Sequence, residues 1–508
     1  MGSCTAHRTK KLTLISLILM IFTSVFGFNN IPRSFYLMGY SAIPWYILSG
    51  ILFFIPYAFM MAEYGAAFKK ETGGIYSWME KSVGSKYAFI TTFMWYASYI
   101  IWMVNMSSGI WVIVSTAIFG NDLTSKLSLF GLNSTQTMGI LGVILMIAFT
   151  FIASKGLNKI TKITSLGGIA VTLLNLVLLF GALIVFALNG FHLAQPMESI
   201  GTAFTVSPNP NYLNSISIVS FMVFAIFAYG GLEAVGGLVD QTENPEKTFP
   251  KGVTIAAIVI TIGYALGIYL VGMFNNWGFV ANRPGVNIAN FSYVTMENLG
   301  YQLGLVFGAQ NSTAIFIGKI MSRYMGISMV LALMGAFFTL LYSPLKQLIE
   351  GTPTEMWPEK LTELDEDEMP KNAMWLQCLI VVVFIIAVSF GGEGASKFFM
   401  KLTLMTNVAM TIPYLLIAYA FPHFKAKDEI EKPFVIFKSK TIVKIATFFT
   451  VVTVGFANLT TVIEPATRGH LSDTIWMIAG PVFFTGLALI IYRRYEKVHL
   501  KHLKEKLV

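Results

Sequence analysis

The chain has 508 residues, of which 55% are hydrophobic and only 12% charged, and its formal net charge is +9. Soluble domains carry about a quarter charged residues, so this composition excludes a soluble multidomain protein. Cys4 and Cys378 give no disulfide framework, and the nearest histidine pair, His499 and His502, has no third metal ligand. We therefore expect no metal site and no cofactor. The basic residues lie between apolar segments, which favours membrane topology over a nucleic-acid partner.

Twelve apolar segments are each long enough to cross a bilayer, which takes about 20 residues. In chain order they lie at 12–38, 43–62, 87–118, 137–154, 163–189, 213–239, 252–275, 324–344, 373–390, 402–421, 442–462 and 473–492. The sequence thus predicts an all-α membrane protein of about twelve transmembrane helices, embedded in the lipid bilayer as a single domain.

Most of the 35 Lys and Arg residues fall in one alternating set of loops, together with both ends of the chain. Cytoplasmic loops carry an excess of Lys and Arg in membrane proteins. We therefore expect a multi-pass protein of the cell membrane with both termini in the cytoplasm. The basic segment 493–508 is the predicted cytoplasmic tail.

The first span is interrupted by the sequence SVFGFNNIP at 24–32. Gly27 permits an unwound backbone. Asn30 is a good N-cap, and Pro32 suits the first turn of a helix that restarts there. A second half-helix is therefore predicted to begin near Ile31, at membrane depth.

The sixth span is interrupted in the same way by FAYGGLE at 227–233. Gly230 and Gly231 allow the helix to unwind, and Glu233 then falls in the first turn of a second half-helix. A carboxylate suits that position because the amino end of a helix is the positive end of its dipole.

Paired interruptions in corresponding spans indicate a transporter binding site, since non-helical backbone is tolerated in a membrane only when buried or lining a cavity. The two inverted repeats would be 12–189 and 213–421, followed by two extra helices at 442–492. Free N–H groups bind a carboxylate and free carbonyls bind an ammonium group, so a zwitterion satisfies both. The candidate substrate-binding residues are Ser24, Phe26, Gly27, Phe28, Asn29, Asn30, Tyr96, Phe227, Tyr229, Gly230, Gly231 and Asn407.

Some of these residues also have a purely structural interpretation, because glycines pack membrane helices closely and polar side chains join them. Glu233, well inside the bilayer, is a candidate for gating or proton coupling, and Tyr229 for an aromatic gate. The alternative for Glu233 is a capping carboxylate that never titrates. Lys401 and Arg33 are the candidates for attracting an anionic substrate side chain.

Several motifs resemble those of the amino acid–polyamine–organocation superfamily. They are AEY at 62–64, GGIYSW at 73–78, FAYGGLEA at 227–234, ENP at 243–245, FP at 249–250, YSP at 342–344 and KPF at 432–434. Within the superfamily the chain looks most like the bacterial glutamate/γ-aminobutyrate antiporter branch, including a permease group of unassigned substrate. The resemblance implies a five-plus-five inverted-repeat fold with two further helices, and sodium-independent exchange or proton-linked uptake. The mid-membrane lysine of some relatives is absent, since no Lys lies between Ile163 and Leu188.

The most specific expectation is a secondary active transporter, an antiporter of amino acids or related small zwitterions working by alternating access. A proton-coupled amino acid symporter and a sensor with a transporter fold are the alternatives. A channel is disfavoured because the sequence shows no filter loop. An enzyme is disfavoured because the spans hold no cluster of catalytic groups.

Overall fold

A computed structural model describes residues 11–120, 122–197, 199–288 and 290–506, except for the side chains of 108, 200 and 499–506. The described residues are mainly helical and form no strand, with one isolated bridge between Leu12 and Thr242. They contain 11 helical stretches long and apolar enough to cross a membrane. The first stretch, Leu14–Ala67, has 54 residues and holds the first two predicted spans. This architecture confirms the all-α prediction with about twelve spans.

The first half of the chain begins with short helices joined by non-α segments. A 3₁₀ turn at Gly39–Ala42 and a π-helical segment at Gly50–Phe54 lie between them. The helices are α1 (Leu14–Val25), α2 (Asn30–Met38), α3 (Ile43–Ser49), α4 (Ile55–Ala67), α5 (Ile75–Ser82), α6 (Ser85–Phe119), α7 (Ser134–Ala153), α8 (Leu157–Leu188) and α9 (Ile200–Thr205).

The second half also begins with an interrupted helix, in which a 3₁₀ segment at Leu232–Leu238 follows α10. Short 3₁₀ turns occur elsewhere at Thr124–Lys126, Pro210–Tyr212 and Thr354–Met356. The helices are α10 (Ser215–Phe227), α11 (Pro245–Phe274), α12 (Trp277–Val280), α13 (Phe291–Val306), α14 (Asn311–Ile349), α15 (Glu359–Thr362), α16 (Lys371–Phe390), α17 (Gly392–Ala409), α18 (Ile412–Ala426), α19 (Lys440–Thr467) and α20 (Leu471–Lys506).

Both predicted helix breaks are present, with one correction to the first. The prediction of Asn30 as the N-cap was wrong: α2 begins at Asn30, and its cap is Asn29, whose side chain makes no capping hydrogen bond. The Asn30 side chain instead donates to the Tyr264 hydroxyl, at 3.3 Å. Glu233 lies in the first turn of the segment after the second break, as predicted, although that segment is a 3₁₀ helix.

The tenth predicted span contains a third break that the sequence reading missed. Its helix ends at Ala409, and α18 restarts at Ile412 with Pro413 in its first turn. Thr411, between the two helices, donates to the Asn458 side chain at 2.6 Å. This break sets the direction of α18, which carries Tyr414 toward the sixth span.

Contacts close the bundle at the end where α1 begins, called here the N-terminal face. Leu12 pairs with the backbone after the sixth span, through Leu12 N to Gln241 O at 2.8 Å and Glu243 N to Leu12 O at 2.9 Å. At the same end, buried Lys346 of α14 binds Asp240 with Nζ–Oδ1 at 2.7 Å. The first span, the sixth span and α14 are therefore joined at this face.

A second buried ion pair links α4 to α18. Glu63 is fully buried, and its Oε2 lies 2.7 Å from Lys425 Nζ. Its Oε1 accepts the backbone N–H groups of Ile436 and Phe437, both at 2.7 Å. One carboxylate thus fastens the end of the second span to the loop before α19.

Candidate functional site

The two predicted breaks lie against each other. Gly231 has φ +112, a conformation that residues with a side chain rarely adopt. A Cβ added at Gly231 would lie 2.5 Å from the carbonyl oxygen of Ser24, at the end of α1. Glycine is therefore required here both by backbone conformation and by the close approach of the first span.

One side chain bonds to the backbone of both breaks. The Tyr264 hydroxyl, on α11, accepts from Gly27 N at 3.0 Å. It lies 3.0 Å from Val25 O and 3.1 Å from Ala228 O, and its single proton is donated to one of these carbonyls. Tyr264 thereby satisfies backbone groups that helix ends leave unpaired, and it holds the two breaks at a fixed separation.

Other backbone groups of the first break have no partner in the part of the chain that the structure describes. The carbonyl oxygens of Thr23 and Phe26 accept no hydrogen bond there, and the amides of Phe28 and Asn29 donate none. The carbonyls belong to the carboxyl end of α1 and the amides to the amino end of α2. These ends carry opposite partial charges.

A cavity of about 420 Å³ lies in front of this break, within the size range of small-molecule sites. Its walls come from both halves of the first span and from α6, α8, α13 and α14. Most of the lining is apolar, and the polar side chains in it are Thr23, Asn29, Arg33 and Tyr293. A Cβ added at the lining residue Gly109 would meet no atom within 4 Å, so the wall at α6 faces open space.

Glu233 is fully buried, does not line this cavity, and accepts hydrogen bonds from four donors. Its Oε1 accepts from Trp95 Nε1 and Tyr99 OH, both at 3.1 Å, and from Tyr414 OH at 3.2 Å. Its Oε2 accepts the Gly231 amide at 3.2 Å. The carboxyl group therefore joins α6, α18 and the sixth-span break.

The sequence-predicted binding residues of the first span fall into two groups. Phe26, Gly27, Phe28 and Asn29 line the cavity. Ser24 and Asn30 do not, because the Ser24 hydroxyl donates back to the Met20 carbonyl and Asn30 turns to Tyr264.

The predicted residues of the other spans lie outside the cavity wall. Tyr229 donates to Tyr46 O at 3.0 Å and stacks on Phe54 at a centroid distance of 4.7 Å. Tyr96 donates to Gln377 Oε1 at 2.9 Å, on α16. The remaining members are Phe227, which is half-buried, Gly230 and Gly231, which lie beside Tyr414, and Asn407, which is exposed.

The sequence reading missed Tyr264, Tyr293 and Gly109. Each belongs to a helix whose sequence gives no sign of which residues face the breaks. Tyr264 is one aromatic residue in an apolar 30-residue helix, and Tyr293 lies in a segment that was assigned to a loop. Only the packing of α6, α11 and α13 against the first span identifies them.

Comparison with known proteins identifies the family of the chain. The model of the amino acid permease family matches residues 12–487. The chain belongs to the amino acid permease family. It is 55% identical over 490 residues to the inner membrane transporter YjeM of Escherichia coli K12, covering 96% of this chain and 97% of that one.

Two more distant relatives have names that state a substrate. The aspartate/glutamate permease AcaP of Lactococcus lactis subsp. cremoris is 27% identical, with 81% of this chain and 79% of AcaP covered. The glutamate/gamma-aminobutyrate antiporter of Lactococcus lactis subsp. lactis is 22% identical, with 77% of this chain and 74% of the antiporter covered. The permease is therefore a multi-pass membrane transporter of the amino acid class, within the amino acid–polyamine–organocation superfamily, rather than an enzyme.

Proposed function

We propose that the permease is a secondary active antiporter that exchanges amino acids or related small zwitterions by alternating access. The observation that supports this most directly is the set of unpaired backbone groups at the first break. Carbonyls of the α1 carboxyl end and amides of the α2 amino end border the same cavity, and a zwitterion carries the two complementary charges.

In this proposal the substrate ammonium group donates to the carbonyls of Thr23 and Phe26. The substrate carboxylate accepts from the amides of Phe28 and Asn29, at the positive end of the α2 dipole. No charged side chain is needed for the backbone part of the substrate. The apolar wall from α6 and α14 then contacts the substrate side chain.

Alternating access is supported by the unequal closure of the two ends. The Leu12–Gln241 pairing and the Lys346–Asp240 ion pair close the N-terminal face, which we propose to be cytoplasmic because Lys and Arg are enriched in cytoplasmic loops. The cavity lies beyond the break, beside α2, which leads away from that face. We propose that these contacts open when the substrate is released to the cytoplasm.

The same scheme treats segments 12–189 and 213–421 as inverted repeats, with 442–492 as two added helices and 493–508 as the cytoplasmic tail. The two breaks would occupy equivalent positions in the repeats, one Gly27-centred and one Gly231-centred. Movement of one repeat against the other around a fixed site is the usual form of alternating access in such folds.

Exchange is favoured over proton symport by the surroundings of Glu233. Its carboxyl oxygens accept from four hydrogen-bond donors, an arrangement that suits a carboxylate held in one place to join helices. Such a role requires no change of protonation in the transport cycle. Glu233 is then a residue that maintains the closed arrangement of α6, α18 and the sixth span.

The experiment is a transport screen with the purified permease in liposomes preloaded with a mixture of amino acids. Labelled amino acids are added outside one at a time, and each hit is repeated with empty liposomes, with and without an inward proton gradient. Uptake that requires internal substrate supports exchange, and uptake into empty liposomes driven by protons overturns it in favour of symport. Tight binding without any transport would favour a sensor.

A further inference from the structure

Arg33 is a cation without an acidic partner beside the unpaired amides of the first break. It lies on α2 and lines the cavity, and its Nε donates to the Ile288 carbonyl at 3.2 Å. In the described part of the chain no carboxylate lies within ion-pair distance of it. Arg33 is half-buried; Lys346 and Lys425 are paired with Asp240 and Glu63, while the half-buried Arg283 and Lys432 form no ion pair among the described residues either.

Two further polar groups in the same cavity lack a partner among the described residues. The Tyr293 hydroxyl is buried and makes no hydrogen bond, and Tyr293 is 8% exposed. The Asn29 Oδ1 atom is also buried and unpaired. Most buried polar groups are satisfied in proteins, and these two differ from other unpaired buried groups, such as the Tyr40 hydroxyl, in lining the same cavity as Arg33.

Asp122 interacts electrostatically with Tyr293 but forms no ion pair with Arg33 among the described residues. Asp122 is exposed, and its Oδ1 accepts the Thr124 amide at 2.9 Å and the Thr124 hydroxyl at 2.7 Å. Lys401, the other candidate cation from the sequence, and its neighbour Lys397 are engaged elsewhere. Lys397 pairs with Glu393 at 3.2 Å, and Lys401 lies 4.8 Å from the Trp476 ring.

We propose that Arg33 and Tyr293 bind the side-chain carboxylate of the substrate, so that the permease carries acidic amino acids. This inference rests on the proposed function, because it places the substrate backbone at the amides of Phe28 and Asn29. The guanidinium group offers four more N–H donors in a planar fork that matches a carboxylate. Tyr293 donates one further hydrogen bond.

The spacing along α2 fits a ligand with two carboxylates. Arg33 follows Asn29 by four residues, slightly more than one helical turn, which is a rise of about 6 Å. A dicarboxylic amino acid places its second carboxylate at a comparable distance from its first. A neutral amino acid would leave the half-buried Arg33 without a counter-charge in a largely apolar cavity, which is less favourable than pairing it with a carboxylate.

The test compares acids with their isosteric amides in counterflow. The wild-type permease is reconstituted with internal glutamate, and uptake of labelled glutamate is competed with glutamate, aspartate, glutamine and asparagine. We expect the acids to compete at concentrations at least about tenfold lower than the amides, the difference expected for loss of a charge-assisted hydrogen bond. Equal competition by acids and amides would overturn the proposal.

Variants test whether Arg33 and Tyr293 cause the preference for acidic amino acids over their amides. Arg33→Gln should lower glutamate uptake by about tenfold or more while glutamine uptake is retained or increased, and Arg33→Lys should keep part of the acid preference. Tyr293→Phe should reduce glutamate uptake less. Lys397→Gln removes an exposed cation and should change nothing. If Arg33→Gln folds and keeps the wild-type preference, the assignment is wrong.

The outcomes distinguish this inference from the proposed function. Exchange restricted to neutral or cationic amino acids, unaffected by Arg33→Lys, would overturn the acidic substrate and leave the exchanger intact. Exchange of no amino acid of any charge would overturn the proposed function itself.

Discussion

The hydroxyl oxygen of Tyr264 lies 3.0 Å from the amide nitrogen of Gly27, at the point where the first span loses its helical hydrogen bonds. The same oxygen lies 3.1 Å from the carbonyl oxygen of Ala228, the residue that follows α10. A phenol from a third helix therefore takes the place of intrahelical bonds in both interrupted spans. Its loss would leave these backbone groups without their partner.

Replacing Tyr264 with Phe should destabilise the permease by about 1–3 kcal/mol, because buried backbone groups lose their partner while the ring packing is kept. The matched control is Tyr40→Phe, since the Tyr40 hydroxyl is buried without a partner among the described residues. Thermal unfolding in detergent measures both variants. Equal unfolding temperatures for the two would contradict the bridging role of Tyr264.

Replacing Gly109 with Leu should abolish uptake without unfolding the permease. The added Cβ meets no atom within 4 Å, so the side chain enters the cavity, and Leu is a better helix former than Gly. We expect at least about a tenfold loss of transport at unchanged thermal stability. Gly486→Leu on α20 is the control, because an added Cβ there also meets no atom. Normal uptake by the Gly109 variant would show that the substrate does not bind in this cavity.

Replacing Glu233 with Gln should lower stability and transport together. The Gln side chain has one oxygen and one NH₂ group where Glu233 has two oxygens. In either orientation its NH₂ group therefore faces a donor, either the Gly231 amide or the donors from Trp95, Tyr99 and Tyr414. We expect this to lower the free energy of unfolding by about 1–3 kcal/mol. Glu393→Gln, in an exposed ion pair, serves as the control and should cost less than about 1 kcal/mol. A stable Glu233 variant that exchanges normally but no longer responds to a proton gradient would instead support proton coupling.

Replacing Glu350 with Gln should change the pH dependence of stability. Glu350 follows α14 outside the membrane-spanning segment; burial raises its pKa to about 7, Asp240 and Glu368 add to this, and Lys346 opposes it. Between pH 4.5 and about 7 the folded state keeps a proton that the unfolded state has lost. The free energy of unfolding therefore falls as pH rises through this window.

We expect Glu350→Gln to match the wild type near pH 5 and to exceed it by up to about 3 kcal/mol at pH 7.5, since each pKa unit corresponds to about 1.4 kcal/mol. Unfolding temperatures measured across this range give the comparison. Glu366→Gln, at an exposed position, should follow the wild-type curve. A constant difference between the Glu350 variant and the wild type at all pH values would refute the assignment.

The sequence predicted the helices and both paired breaks because these depend on local chemistry. Runs of apolar residues give the spans, and Gly27 and the Gly230–Gly231 pair identify the breaks. The third break, before Ile412, was missed because its signal is a single Pro413 in an otherwise apolar span. The N-cap was placed one residue late because Asn29 and Asn30 carry the same side chain.

The faces of the helices were harder to predict than their positions. Tyr229, Tyr96 and Asn407 are polar residues in the expected spans, but none lines the cavity. The Tyr229 side chain contacts Tyr46, the Tyr96 side chain contacts Gln377, and Asn407 is exposed. In a chain with apolar residues on every side of its helices, no periodicity distinguishes the cavity wall from the lipid face. The contact of Tyr264 and Tyr293 with the first span could be identified only from the packing of separate segments.

The most direct test of the proposed exchange is the ratio of labelled amino acid uptake in loaded and empty proteoliposomes, without any ion gradient. The amino acid identified in the screen is placed outside, and the same amino acid is placed inside half of the vesicles. We predict rapid uptake into the loaded vesicles and almost none into the empty ones, with both signals absent for Gly109→Leu. Equal uptake into loaded and empty vesicles would contradict obligatory exchange through the cavity at the first break.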